Sequence, residues 1–323
     1  MKDSFPNIRF FFLGLLFSLP IFWGANLAQK NLEETLFWDK VAFDPSILSA
    51  QASQEIELAK ILPVKKTDIL PLDLKAESAI SFLVKKDKSQ KVLFRKEADK
   101  PLPIASLTKL MTALVVLENY KLSQMVEIDK QAAEEEGKTG FFRKGEVFSV
   151  RDLLYSSLIE SSNDSVVALV DLIGEEGFVD LMNSEAKRIG LKNTYFFNPT
   201  GLDPDADQEK TNLSTARDLA VLARYLFEKE PFVWETSLIS QFDLYTPNGI
   251  FHHKIINTNE LLKEIPGVLG GKTGWTPQAK GCLLLIVKAP KNNGIIINVV
   301  LGSPDRFGEM KKLIQWVKDS YKW

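Results

Sequence analysis

The chain has little of what most hydrolytic sites are built from. Of its 323 residues only two are histidine and one is cysteine. Zinc sites draw three or four ligands mostly from those two residue types. Three could be assembled here only by joining His252 and His253, neighbours in sequence, to the distant Cys282. The composition argues against a metal hydrolase, and no metal or other cofactor is expected. The same shortage weighs against a Ser-His-Asp triad, since both imidazoles lie in Ile250-Phe251-His252-His253-Lys254, which reads as a strand or hairpin. Neighbours on a strand point to opposite faces, so the pair is expected as exposed or half-buried sheet residues. A single cysteine permits no internal disulfide, which neither demands nor forbids an extracytoplasmic address. An excess of one charge is also lacking: 40 basic against 42 acidic side chains leave −2. That balance gives no overall footprint for nucleic acid, which is not expected as a partner.

What is present, 45% hydrophobic and 25% charged residues, suffices for a buried core, and the length allows about two domains or one with an appendage. Lys2 and Arg9 precede an uncharged, aromatic-rich run from Phe10 to Trp23 that continues to Ala28. Residues 1–28 read as a signal peptide or an amino-terminal membrane anchor, with the remainder on the cell surface, outside the cytoplasm. Residues 29–75, with Pro45, Pro63 and Pro71 among charges, read as a linker or stalk. The body, 76–323, opens with β-prone runs at 79–84 and 92–94 around a hairpin signal at Lys86-Asp87-Lys88-Ser89-Gln90. Helical composition follows over 106–118, with Ser106 at the capping position, and over 150–173, 178–189 and 214–227. Strands return at 268–271, 282–287 and 295–301, and a helix over about 306–321 closes the chain. Strands at both ends with helices between them predict one sheet assembled from distant segments, into which a helical region is inserted.

Three short strings stand out in order: Ser106-Leu107-Thr108-Lys109, Ser161-Ser162-Asn163 and Lys272-Thr273-Gly274. Residues three apart on a helical turn share a face, so the Lys109 amine can reach the Ser106 hydroxyl. A lysine in a low-dielectric cleft beside other cations loses its proton more readily and can act as a general base. The helix amino terminus at Ser106 also favours a developing oxyanion. Each string alone is weak. Ser184-Glu185-Ala186-Lys187 fits the first pattern but lies in a charged run and reads as a solvated helix face. Lys138-Thr139-Gly140 fits the third but follows Glu134-Glu135-Glu136-Gly137 and reads as a surface loop. Lys272-Thr273-Gly274, by contrast, stands between Gly270-Gly271 and the apolar run at Cys282, on a strand whose edge a substrate backbone could join.

The trio is an established signature of penicillin-binding proteins and class A β-lactamases. The chain resembles the serine-type D-alanyl-D-alanine carboxypeptidases, the low-molecular-mass penicillin-binding proteins, over roughly 77–316. Met111-Thr112, Asn198-Pro199-Thr200-Gly201-Leu202-Asp203, Asn257-Thr258-Asn259 and Val300-Leu301-Gly302-Ser303 support it. The resemblance implies an α+β fold of the β-lactamase/transpeptidase type: an antiparallel sheet flanked by helices, with an inserted helical lobe and the site in the cleft between. It implies Ser106 as the acylated nucleophile, Lys109 as its base, and Ser161 and Asn163 as the second wall. Lys272 and Thr273 would bind the substrate's terminal carboxylate beside Gly274, and the N–H groups of Ser106 and Trp275 would form the oxyanion hole. The implied partners are peptidoglycan stem peptides, with β-lactams as covalent inhibitors. Many relatives carry histidine where Thr200 stands and glycine where Lys280 stands, departures that bear on the rim of the cleft.

D,D-endopeptidase action on cross-links would use the same site. A class A-like β-lactamase needs a glutamate to activate the deacylating water, and Asn198 to Asp203 offers no Glu-x-x-Leu-Asn string. A silent peptidoglycan-binding module is the non-enzymatic alternative, against which stands the presence of every reactive side chain.

Overall fold

In the computed structural model the described residues are 62–135, 140–204 and 210–323. The amino-terminal apolar run, most of the span read as a linker, and Lys138 and Thr139 lie outside them. The chain divides after Pro63, and the second unit, Val64–Trp323, contains the fold. Its principal strands are β1 (Ser78–Val84), β2 (Gln90–Lys96), β3 (Gln241–Tyr245), β4 (Phe251–Ile256), β5 (Val268–Thr276), β6 (Lys280–Lys288) and β7 (Ile295–Ser303). Its principal helices are α1 (Lys109–Asn119), α2 (Val150–Tyr155), α3 (Asp164–Val170), α4 (Glu175–Ile189), α5 (Ala216–Lys229), α6 (Pro231–Ser237) and α7 (Arg306–Ser320).

Five strands form one antiparallel sheet in the order β5-β6-β7-β1-β2, so segments some 200 residues apart in sequence become neighbours, as the strand–helix–strand order predicts. The run Ile295-Ile-Ile-Asn-Val-Val-Leu301 lies at its centre and every residue of β7 is buried. Helices α5 and α7 both pack on β7, which explains why this strand is continuously apolar and not alternating. Asn298, the polar exception in that run, is satisfied by Ser81 Oγ, which donates at 2.8 Å, and by the Leu285 carbonyl. Within the span read as a stalk, Val64–Lys65 pairs with Tyr321–Lys322, and the Trp316 indole donates to the Leu70 carbonyl.

The helical stretch read over 150–173 is broken. Helix α2 starts from a capping box, with Ser149 and Asp152 bonding reciprocally. It then widens into a π-helical turn over Ser156–Glu160 and stops at Ser161, whose backbone is left-handed at φ 68°, before α3 begins at Asp164. The second string therefore occupies a strained, buried corner between two helices, a conformation that a non-glycine residue adopts at a cost. The duplicate strings separate on burial. Ser184 and Lys187 are exposed on α4, as a solvated face requires. Gly140, the described end of the other duplicate, is buried, and a Cβ there would lie 2.3 Å from Ser162 Oγ. That end is packed against the second string and is not a free surface loop.

The histidines are half-buried strand residues, as expected, but they do not point to opposite faces. Leu244 pairs with His253 but Tyr245 pairs with Phe251, so His252 is the extra residue of a β-bulge between β3 and β4. The bulge cancels the alternation of the strand and brings the two rings onto the same side, with Nδ1 atoms 2.6 Å apart.

Candidate active site

Ser106 does not cap α1 with its side chain. It sits within a 3-10 turn, Ala105–Thr108, that feeds directly into the helix. The turn is entered through Ala105 in a left-handed conformation at φ 48°. Gly201 packs on this entry so closely that a Cβ would fall 2.1 Å from the Ala105 carbonyl oxygen. A glycine is needed there for space and for its own φ of +83°. The turn points Ser106 and Lys109 the same way: Lys109 Nζ lies 3.1 Å from Ser106 Oγ.

The amine is completely buried and has two further partners, Asn163 Oδ1 and the Thr200 carbonyl, both at 2.7 Å. Both are acceptors only. A neutral amine has two N–H and one lone pair, so with both hydrogens committed to Asn163 and Thr200 the lone pair is left for the Ser106 hydroxyl. Burial pushes the Lys109 ammonium down to about 7, against a smaller upward pull from Glu135. The cause is desolvation; neighbouring cations, invoked from the sequence, act instead on Lys272. That lysine is likewise buried, and desolvation followed by the charges of Lys109 and Arg306 holds it well below the usual lysine range.

Lys272 belongs to β5 and donates to Ser161 Oγ at 2.8 Å and to the Thr273 carbonyl at 3.1 Å. Thr273 is buried, with its hydroxyl 2.6 Å from that of Thr258. At Gly274 the strand crosses the Ser106 turn, where a Cβ would lie 3.0 Å from the Ser106 amide nitrogen. Trp275, next along, is 62% exposed, so its ring is available at the cleft edge. All three strings are thus joined: Ser106 to Lys109, Lys109 to Asn163, Ser161 to Lys272, and Gly274 against Ser106.

Several contributors carried no sequence signal as site residues. The Thr200 carbonyl is held by the loop around it. Asn198 Oδ1 accepts from the Gly201 amide, Asn212 donates to the Asn198 carbonyl and to Thr108 Oγ1, and Thr112 Oγ1 donates to the Pro199 carbonyl. A backbone oxygen has no letter in the sequence. Thr258, inside a string noted only as support, also donates its amide to the Ile159 carbonyl, so that with its hydroxyl contact to Thr273 it ties the turn before the second string to β5. Arg306, at the start of α7, donates to the Gly274 carbonyl at 3.1 Å. Burial pushes the Cys282 thiol up to about 12, which keeps it protonated and poorly nucleophilic. Among the described residues no group of His, Cys, Asp and Glu is arranged to hold a metal, and no helix is long and apolar enough to cross a membrane.

Comparison with known proteins agrees with this geometry. The family model described as D-alanyl-D-alanine carboxypeptidase matches residues 65–305. A D-alanyl-D-alanine carboxypeptidase of Bacillus subtilis is 35% identical over 260 residues, covering 77% of this chain and 64% of that relative. The chain thus spans under two thirds of that carboxypeptidase's length. A D-alanyl-D-alanine endopeptidase of Pseudomonas aeruginosa is 32% identical over 77% of this chain and 80% of its own length. The crystal structure of penicillin-binding protein D2 of Listeria monocytogenes, in its ampicillin-bound form, superposes with a TM-score of 0.64 at 30% identity, covering 77% of this chain and 99% of that one.

Proposed function

Because the chain belongs to the D-alanyl-D-alanine carboxypeptidase family, we propose that it is a serine peptidase that removes the terminal D-alanine from peptidoglycan stem peptides through an acyl-enzyme on Ser106. The observation that carries this is the buried Lys109 amine, 3.1 Å from Ser106 Oγ and 2.7 Å from two acceptors, Asn163 Oδ1 and the Thr200 carbonyl, which in its neutral form has its lone pair left for Ser106. Lys109 takes the hydroxyl proton as Ser106 Oγ attacks the carbonyl of the D-Ala-D-Ala bond. The Ser106 and Trp275 N–H groups receive the oxyanion, where preorganised donors count most. Collapse of the tetrahedral intermediate breaks the C–N bond, and the departing D-alanine amine takes a proton returned from Lys109 or relayed by the Ser161 hydroxyl. Lys272 and Thr273 hold the terminal carboxylate, whose charge offsets the penalty of a buried ammonium. Water then cleaves the ester, with the same lysine as base. A β-lactam presents a strained amide and a carboxylate to the same groups and acylates the same oxygen.

The domain plan proposed with this chemistry is a signal peptide or anchor at 1–28, a linker at 29–75 and the catalytic body at 76–323. The first segment would carry the body across the membrane to its extracytoplasmic substrate and, if uncleaved, hold it there. A second reading, D,D-endopeptidase action, draws on the similarity to the endopeptidase. The test is D-alanine release from a pentapeptide ending in D-Ala-D-Ala, measured beside the splitting of cross-linked dimers. Release of D-alanine faster than dimer splitting is expected. Dimer splitting without D-alanine release would replace the carboxypeptidase by the endopeptidase.

A further inference from the structure

The two histidines, set aside in the sequence as ordinary sheet residues, form a chain with two carboxylates that ends at the second string. His253 Nε2 lies 2.9 Å from Glu160 Oε1, and His252 Nε2 lies 3.2 Å from Glu146 Oε2. Carboxylates only accept, so each Nε2 carries a hydrogen. The two Nδ1 atoms then face each other at 2.6 Å, a contact that repels if both are bare and clashes if both are protonated. One hydrogen between them satisfies both rings. Three hydrogens on four ring nitrogens make the pair a single cation between two carboxylates. Phe142 stacks on His252, Phe148 meets it edge-on, and Phe141 meets His253 edge-on, shielding the pair from water.

Glu160 is itself buried, is bonded by Ser156 Oγ at 2.7 Å, and directly precedes the left-handed Ser161. We propose that His252 and His253 share one proton and that this shared proton braces Glu160, and through it the Ser161–Asn163 corner, making His253 a positioning residue for acylation. The inference rests on Ser161 and Asn163 serving Ser106 as described above. Burial, His253 and Arg143 favour the neutral form of His252, and Glu146 opposes them. The other charged groups on the neighbouring elements are Asp164 on α3, with Glu160 and Glu135 near it, and Asp243 and Lys254, which pair with each other at 3.0 Å on the hairpin. A second proton would push the rings apart, and loss of the shared one would leave two lone pairs opposed, so either change releases Glu160.

The test uses the full chain. Long-range 1H–15N spectra of its two histidines are expected to show one pair titrating as a unit, with both Nε2 protonated. Acylation by benzylpenicillin would be followed from about pH 5 to 8, the range histidines titrate over. His253→Phe, which leaves Glu160 without that donor, is expected to lose about tenfold or more in acylation rate. His253→Gln supplies an amide donor that does not titrate, so it should recover most of the rate and lose the limb of the pH profile that follows the histidine signals. Should His253→Phe not fold, Glu160→Gln is expected to lose the same limb. An unchanged profile in His253→Gln or Glu160→Gln, or a folded His253→Phe acylating at the wild-type rate, overturns the positioning role. Two histidines titrating independently overturn the shared proton. Wild type that shows the paired signals but is never acylated overturns the carboxypeptidase reading instead.

Discussion

Lys109→Met is expected to leave a folded protein whose Ser106 is acylated about 10³-fold more slowly than in wild type, or slower still, the scale on which removal of a general base acts. Methionine keeps the length and apolar stem of the side chain but has no lone pair basic enough to take the serine proton. The same base gives the pH profile its main rising limb: with the ammonium pushed down to about 7, wild-type acylation should rise with pH through that value, in addition to the limb that follows the histidine pair. Stability carries the same signature with a definite sign. The folded-state value lies below the ordinary lysine value of 10.5, so the folded protein binds fewer protons than the unfolded chain. The stability contribution of Lys109 is therefore fully present above the unfolded value and is lost as pH falls towards 7. Denaturant unfolding at about pH 10 and pH 7 should show the wild type losing ground to Lys109→Met by up to ~4 kcal/mol. Methionine leaves Asn163 Oδ1 and the Thr200 carbonyl without this donor, an offset common to both pH values that drops out of the comparison. Equal pH dependence in the two proteins would mean that Lys109 is not buried as a near-neutral amine.

Lys272→Ala is expected to lower acylation by substrates bearing a terminal carboxylate by about 10²-fold or more. A counterpart whose carboxylate is capped as an ester should lose far less. Lys272 is buried in a strand that touches the Ser106 turn at Gly274, so its charge is not shared with bulk water. The alanine also frees Ser161 Oγ from its 2.8 Å partner, which costs both substrates alike. The ratio of the two losses therefore isolates recognition of the carboxylate. Equal losses would assign Lys272 to the upkeep of Ser161 alone.

How much of this was legible in the sequence depended on whether a feature was local. Ser106 and Lys109 are three apart, so their shared face was legible in the string, although the entry to the turn at Ala105 also needs Gly201. The central strand was legible because burial on both faces demands an unbroken apolar run, and Ile295 to Leu301 is almost one. What escaped was set by distant partners. The bulge that turns His252 and His253 together exists only in the register of β3 against β4. The third partner of Lys109 is a backbone oxygen that would look the same under any residue at position 200. The widening of the helix before Ser161 likewise has no composition of its own. It is stabilised by buried contacts from Thr258 and His253, about 100 residues later in the chain.

The central claim is that Ser106 is the atom acylated, with Lys109 as its base. Intact-protein mass spectrometry after incubation with benzylpenicillin tests it most directly, comparing wild type with Ser106→Ala. A single adduct of the mass of the penicillin on wild type, mapped to the Ser106 peptide and absent from the folded Ser106→Ala protein, is the predicted result. No adduct on wild type, or an equal adduct on Ser106→Ala, would contradict it.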